Sequence, residues 1–188
     1  MEQLINSPSL KYEPDFREIC KKFIVATEIT AISYSLVHKT GARSELWTDS
    51  NALINEFIKK NNIRTVYTPQ LYECDSGFFY LPEQIKKYNK TLHSKYNKLI
   101  ESLRVNYNQA HPFIYVMKYD DYTEYMIFYT TDESCYSVNT HINRIDQYLN
   151  FYYIFLDKAK VFMSDFQANP ILYKSSGQLL LDNKYAKP

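Results

Sequence analysis

The sequence predicts an α+β fold in which helices cover both faces of a central antiparallel sheet of about five strands, an α/β/α sandwich. The first indication is the segment pair PFIYVMKY and YTEYMIFYTT, which a short turn joins into a hairpin. In each strand the odd-numbered and the even-numbered residues are both apolar. Because these two sets point to opposite faces, neither face of the sheet can lie against water. The second is the order of elements along the chain, in which strand pairs alternate with amphipathic helices.

The first half of the chain carries one strand pair between two helices. After a polar lead over residues 1–14, Asp15 can cap a helix whose apolar positions fall on one face. The β-branched run from Ile29 to Val37 predicts a strand, and the break at Lys39 predicts a turn into a second strand that ends at Trp47. These two strands would form the second hairpin of the sheet.

The remaining elements complete the sandwich. Asp49 or Ser50 can cap a second helix, and the chain then becomes irregular as far as Tyr80. Apolar spacing predicts a helix over residues 83–104, and after the hairpin a single long helix over residues 137–166. Such an order is typical of PAS and GAF domains.

The domain division follows from these elements and from the length of 188 residues, which suits one well-buried domain. We expect a sensory-type sandwich over residues 15–168 and a tail or linker over residues 169–188. Sequence repeats and low-complexity segments are absent.

The charge and cysteine content exclude several classes of function. Lys and Arg total 22 against 21 for Asp and Glu, a net charge of +1, so the chain lacks the basic surface of a nucleic-acid binder. Three widely spaced cysteines predict neither a disulfide framework nor a zinc site. With no apolar run of about 18 residues and no signal peptide, we expect a cytoplasmic protein without membrane contact.

Catalytic chemistry is not predicted. Cys135 and His141 could form a thiol and base pair, but no glycine-rich turn or oxyanion motif accompanies them. His38, His93 and His111 have no metal-ligand spacing. We therefore expect no enzyme, no catalytic residue, no cofactor and no metal.

Aromatic and methionine residues on the strands and on the facing helix could line a small-molecule pocket. From the sheet these are Tyr34, Tyr115, Met117, Met126 and Phe128, and from the second helix Leu53 and Phe57. The alternative is a filled core, since most apolar strand faces simply pack.

Three segments together resemble a known family. They are FREICKKFIVATEITAISYSLVHKTGARSELWTDSNALINEFIKKN, QLYECDSGFFYLPEQ and YDDYTEYMIFYTTDESCYSVNTHINRIDQYLNFYYIFLDKAKVFM. In order and texture they resemble the N-terminal sensory, autoinducer-binding domain of LuxR-type transcriptional regulators, especially the divergent orphan versions of intracellular Gammaproteobacteria such as legionellae. The resemblance implies a bacterial domain for signal sensing in transcription regulation.

The departures from that family bear on the ligand. Receptors for acyl-homoserine lactones clasp the ligand with a Trp and a Tyr four apart, an Asp-Pro pair and a further Trp. By resemblance these places hold Leu53, Phe57, Thr65-Val66 and Tyr80 here. Without the carboxylate that accepts the amide proton of the ligand, binding would lose about 1–3 kcal/mol. We expect a compact apolar ligand or none, with Tyr80 completing the pocket.

Partners follow from the same resemblance and from the long helix. The family contacts DNA through a helix-turn-helix domain, which this chain lacks, so it is either a fragment or a stand-alone sensor. The long helix carries two adjacent apolar stripes, of which a sheet can cover one, and this predicts a homodimer through that helix or the helix from Glu83. The alternative function is a stand-alone PAS- or GAF-like protein-interaction module with a filled core and no ligand.

Overall fold

A computed structural model describes residues 8–39, 42–59, 75–86, 90–131, 137–173 and 179–181. The helices are α1 (Pro8–Lys11), α2 (Glu13–Ala26), α3 (Ser50–Ala52, continued as a π-helix over Leu53–Lys59), α4 (Leu81–Lys86), α5 (Lys90–Tyr107), α6 (Ser137–Ile142) and α7 (Ile145–Ala168). The strands are β1 (Ile29–His38), β2 (Arg43–Trp47), β3 (Gly77–Tyr80), β4 (Ala110–Lys118), β5 (Tyr122–Thr130), β6 (Ile171–Tyr173) and β7 (Leu179–Leu181).

The strands form one antiparallel sheet in the order β3-β4-β5-β1-β2-β6-β7. Its main body is the five strands from β3 to β2. Strands β6 and β7, each three residues long, form a hairpin that joins β2 through the pair Arg43 and Ile171. The predicted α+β sandwich with a central antiparallel sheet is confirmed.

Helices cover both faces of the sheet and create two core layers. The α3–α5 layer holds the odd-numbered residues of β1 and β5 together with Leu53, Tyr96 and Leu99 from α3 and α5. The α2–α7 layer holds their even-numbered residues together with Phe16 and the aromatic residues of α7. Because strand side chains alternate between faces, the residues in the middle of the central strands enter one layer or the other. This explains the apolar residues of both parities in the hairpin strands.

Several predicted elements are confirmed and others differ. Asp49 caps α3, since its carboxylate accepts hydrogen bonds from the amides of Asn51 and Ala52. The predicted long helix is instead two helices, α6 and α7, with a turn at Asn143 and Arg144. The predicted helix over residues 83–104 corresponds to α4 and α5, between which residues 87–89 lie outside the described ranges.

Strand β3 lies in a segment that the sequence predicts as irregular. It is only four residues long, Gly77–Tyr80, and pairs along β4 from Val116 to Phe113. Four residues are too few for a period-2 pattern, so pairing with β4 supplies what local sequence does not.

The lead and the tail contribute to the fold. In the lead, Ser9 is buried and the ring of Tyr12 stacks on Phe162 with centroids 4.9 Å apart. In the tail, β6 and β7 extend the sheet. The fold therefore includes residues on both sides of the range 15–168 that the sequence predicts for the domain.

Helix α7 buries more of its surface than the sequence predicts. Both of its apolar stripes are covered, because α2 lies beside the sheet and Phe23 of α2 stacks on Phe151 at 4.4 Å. The sequence predicts that one of the stripes is left for a dimer contact, which would include Phe151 and Phe155; these side chains are 4% and 0% exposed, so that part of the expectation is wrong. Among the described helices, none is long and apolar enough to span a membrane.

Phe155 provides a test of the α2–α7 layer. Its ring lies 4.7 Å from that of Tyr34 and 5.5 Å from that of Phe16. We expect Phe155→Ala to lower the free energy of unfolding by about 3–5 kcal/mol, since it leaves a cavity in packed core. Urea denaturation followed by circular dichroism measures this. Val161→Ala on the same helix, at a side chain that is 89% exposed, is the control and should stay within about 0.5 kcal/mol of wild type.

Candidate functional site

The structure divides the predicted ligand residues between the two core layers. Four of the sheet residues lie in the α2–α7 layer, with Met117 and Tyr80 packed against it as half-buried side chains. The four are Tyr34, Tyr115, Met126 and Phe128. Leu53 lies in the α3–α5 layer, on the other side of the sheet, and the side chain of Phe57 is outside the described set. Leu53 and the strand residues therefore cannot line one pocket.

Strand parity causes this separation. The prediction chose the even-numbered residues of β1 and β5 as the ones facing the second helix, whereas α3 covers the odd-numbered face with Ala31 and Val37. Ser33 and Ser35 of β1 lie on the same odd-numbered face, between Ala31 and Val37. Because both faces are covered, those serines are buried as well, at 0% exposure.

At the Phe128 end of the α2–α7 layer the aromatic rings contact one another. Phe128 stacks on Tyr148 with centroids 4.3 Å apart, and Phe23 lies 6.0 Å from each of these rings. Edge and stacked ring contacts of this kind are typical of packed core. This part of the predicted pocket has the filled-core arrangement of the alternative interpretation.

The α3–α5 layer contains a group of buried polar side chains on the sheet, which we call the polar floor. It consists of Ser33 and Ser35 on β1, Glu45 and Trp47 on β2, and Tyr129 on β5. In register Ser35 lies opposite Glu45, and Ser33 lies opposite Trp47. Tyr96 on α5, which is 1% exposed, lies near Tyr129. The polar floor is therefore enclosed between β1, β2, β5 and α5.

Glu45 is the charged member of the polar floor. Its Oε2 accepts hydrogen bonds from Ser35 Oγ and, at 3.4 Å, from Trp47 Nε1. Burial raises the pKa of Glu45 to about 7, although Arg43 and these hydrogen bonds favour the ionised form. A carboxylate at 1% exposure thus titrates near neutral pH.

Three polar atoms of this region have no hydrogen-bond partner among the described residues. They are Glu45 Oε1, Ser33 Oγ and the Tyr96 hydroxyl. A buried polar atom without a partner costs about 1–3 kcal/mol, so three of them on neighbouring elements require an explanation. A bound molecule that carries N–H or O–H donors would satisfy the carboxylate oxygen and could pair with the hydroxyls.

Glu45, Ser33 and Tyr96 are candidate site residues that sequence reasoning missed. One sequence signal could have indicated Glu45: it lies in the middle of the predicted strand segment RSELW, and the sheet is predicted to be covered on both faces. Together these require a buried carboxylate. Tyr96 carried no such signal, because tyrosine is common on amphipathic helices.

His141 is a buried structural residue. Its Nε2 donates to the His111 carbonyl at 2.9 Å, so Nδ1 accepts from the Tyr148 hydroxyl at 2.8 Å. Its ring also stacks on Phe113 at 4.8 Å. Burial lowers the pKa of His141 to about 4. Its proposed thiol partner, Cys135, lies outside the described residues.

No group of His, Cys, Asp and Glu within the described ranges could hold a metal ion. The one described cysteine, Cys20, is buried in the α2–α7 layer, and burial raises the pKa of its thiol above the ordinary value. Comparison of the sequence with protein-family models and with curated proteins finds no match.

The lowered pKa of His141 predicts an acid-labile fold. Above pH 6.5 the His141 ring is neutral in both the folded and the unfolded state, so its ionisation does not change the free energy of unfolding. Below pH 6.5 the unfolded chain binds a proton on this ring, whereas the folded protein does not bind it until about pH 4. We expect this group to remove about 3 kcal/mol of stability between pH 6.5 and pH 4.

Urea titrations of wild type and His141→Gln across that range measure the effect. The free-energy difference between the two proteins should shrink as the pH falls. A proton NMR titration of the His141 ring in the wild type is an independent check, and a midpoint above pH 6 would refute the assignment.

Proposed function

We propose that this chain is a ligand-sensing and dimerising domain of the LuxR type, and that its ligand binds between the polar floor and the helices α3 and α5. The observation that carries the proposal is the unpartnered Oε1 of Glu45 beside the hydroxyls of Ser33 and Tyr96. A protein-interaction module with a filled core gains nothing from three buried polar atoms that lack partners.

The chemistry of the polar floor defines the ligand class. An ionised carboxylate accepts hydrogen bonds only, and the adjacent hydroxyls can accept or donate. The matching ligand is a small molecule with at least one N–H or O–H donor, set among Leu53, Leu99 and other apolar residues of the layer. This replaces the compact apolar ligand that the sequence favours.

The resemblance to LuxR-type sensors agrees with the placement. In that family the second helix contacts the ligand, and here the equivalent position, Leu53 on α3, is 1% exposed in the α3–α5 layer. Leucine cannot donate a hydrogen bond, and the Asp of the lactone receptors is replaced by Thr65-Val66, which lie outside the described ranges. A standard acyl-homoserine lactone remains a poor candidate.

Ligand binding would act as a population shift. Pairing two or three buried polar atoms favours the closed arrangement of α3 and α5 by a few kcal/mol, enough to change its population substantially. The response would pass to a partner subunit and, in a regulator of the LuxR type, to DNA through a helix-turn-helix domain. Such a domain would work in the cytoplasm.

The second candidate is a stand-alone protein-interaction module of the PAS or GAF kind. The ring contacts among Phe128, Tyr148 and Phe23 favour it, because they fill part of the α2–α7 layer where a pocket was first predicted. It differs from the sensor in requiring no small molecule for stability.

Glu45→Gln tests the sensor. In wild type we expect a small molecule in native mass spectra of freshly purified protein, and a rise in Tm when metabolite fractions are added to stripped protein. The variant should lose both, because its amide keeps only one acceptor oxygen, which Ser35 and Trp47 already engage, and carries no charge. Glu101→Gln, at an exposed site on α5, is the control and should behave as wild type.

The stripped proteins give a second readout. The pKa of Glu45 is about 7 in the folded state and 4.5 unfolded, so ionisation destabilises the fold as the pH rises through this window. Glu45→Gln should therefore gain up to about 3 kcal/mol over wild type at pH 8 and little at pH 4. If stripped and fresh wild type melt alike and no fraction shifts either, the interaction module is the better function.

We propose that the dimer forms through the outer face of α7. Its exposed apolar residues are Tyr153, Ile154 and Val161, at 56%, 42% and 89% exposure, and Ile154 also lines a groove of about 470 Å³ between α2 and α7. Apolar side chains this exposed on one helix mark a contact surface. Helix α5 offers Val105, at 65% exposure, as the alternative contact.

Paired charge substitutions distinguish the two helices. We expect Val161→Asp to weaken a dimer that forms through α7, since it places a charge in an apolar contact, whereas Val105→Asp should leave it unchanged. Sedimentation velocity across a concentration series measures both. Wild type that is monomeric at high micromolar concentration would rule out the homodimer, and the reverse pattern would assign it to α5.

A further inference from the structure

The sheet carries a second buried carboxylate, on the opposite face from Glu45. Glu124 of β5 points into the α2–α7 layer near the turn between β4 and β5, opposite Leu36 and Met117 in register. It is 4% exposed. Within the described chain, the groups that act on its ionisation are two tyrosines and burial, and no lysine or arginine is among them. Glu124 is therefore a buried carboxylate without a cationic partner there.

Tyrosines from four elements surround this carboxylate. The Tyr152 hydroxyl on α7 donates a hydrogen bond to Glu124, and the Tyr34 hydroxyl on β1 faces the same carboxylate. Tyr115 on β4 lies edge-on to Tyr152 at 5.0 Å. Tyr122 on β5, whose pKa is raised by burial and by Glu124, stacks on the ring of Tyr119 in the turn at 4.6 Å.

The cluster is open to solvent at one side. At the inner end of the cluster Tyr34 is fully buried, whereas at the outer end Tyr119 is 43% exposed and Tyr122 is half-buried. The exposed residues Asp120 and Asp121 form the turn that joins Tyr119 to Tyr122. An approaching cation would meet negative charge first, then ring faces, and finally Glu124.

This combination has a specific chemical complement. Tyrosine faces attract cations through the ring quadrupole, and a nearby carboxylate adds direct charge attraction. An N-methylated ammonium group loses little hydration on entry and does not need the three acceptors that a primary ammonium requires. Neutral apolar ligands would leave Glu124 without a counter-charge.

We propose that Glu124 and the tyrosines around it form a binding site for an N-methylated ammonium group. The site lies on the other side of the sheet from the polar floor, and it is independent of the proposed sensor function. The ammonium group could belong to a free small molecule or to a methylated lysine side chain, since the chemistry that the site recognises is the same.

Isothermal titration with choline and with 3,3-dimethyl-1-butanol tests the proposal, because the two differ in charge and hardly in shape. We expect saturable binding of choline to wild type and at least about tenfold weaker binding of the neutral alcohol. Equal affinities, or no saturable choline binding up to about 10 mM, would overturn the proposal.

Variants assign the binding to this site. Glu124→Gln should weaken choline binding at least about fivefold, and so should Tyr119→Ala, which acts at an exposed position and does not endanger folding. Tyr119→Phe keeps the ring and should retain most of the affinity, and Glu45→Gln on the opposite face should leave it unchanged. Choline binding that survives both Glu124→Gln and Tyr119→Ala would refute the assignment.

A final comparison identifies the source of the ammonium group. A short peptide with one trimethyl-lysine is titrated beside choline and beside the same peptide unmethylated. Tighter binding of the methylated peptide than of choline indicates a protein partner, and the reverse order indicates a free small molecule. Binding of the unmethylated peptide as tight as that of the methylated one would contradict the proposal.

Discussion

The structure depends on a sheet that is buried on both faces. Once α3 and α5 cover one face and α2 and α7 the other, each side chain of the central strands must enter a core layer, whatever its polarity. The apolar residues on both faces of β4 and β5 fit this arrangement without a desolvation cost. The polar residues do not, and Ser33, Glu45 and Glu124 become buried only because no strand face is left for water.

Two carboxylates give the sheet its chemical character, and they are buried on opposite faces of β2 and β5, the two strands that flank β1. Glu45 lies opposite Ser35 and Glu124 lies opposite Leu36, so the two groups flank consecutive residues of β1. Burial raises the pKa of each, yet their surroundings differ. Serine, tryptophan and unpartnered hydroxyls surround Glu45, and tyrosines that lead out to solvent surround Glu124. The first arrangement suits a ligand with hydrogen-bond donors and the second suits a cation.

The high tyrosine content has a structural account in these layers. Tyrosine can fill a core with its ring and still pair with a buried polar group through its hydroxyl, as Tyr148 does with His141 and Tyr152 does with Glu124. A phenylalanine in either place would leave the polar partner without its hydrogen bond. The abundance of tyrosine therefore accompanies the burial of polar groups on both faces of the sheet.

The sequence by itself determined the fold class, the central hairpin, the Asp49 cap and the need for cover on both faces, because these follow from local periodicity and capping chemistry. Tertiary structure decided which layer each strand residue enters. Parity fixes only that Tyr34 and Ser35 face opposite ways, and the packing of α3 against the odd-numbered residues then separates Leu53 from Tyr34. Strand β3 and the burial of both apolar stripes of α7 were likewise beyond local pattern, since pairing with β4 and cover by α2 produce them. Contacts between residues far apart in the chain, such as Glu124 with Tyr152, form only when the fold brings the elements together.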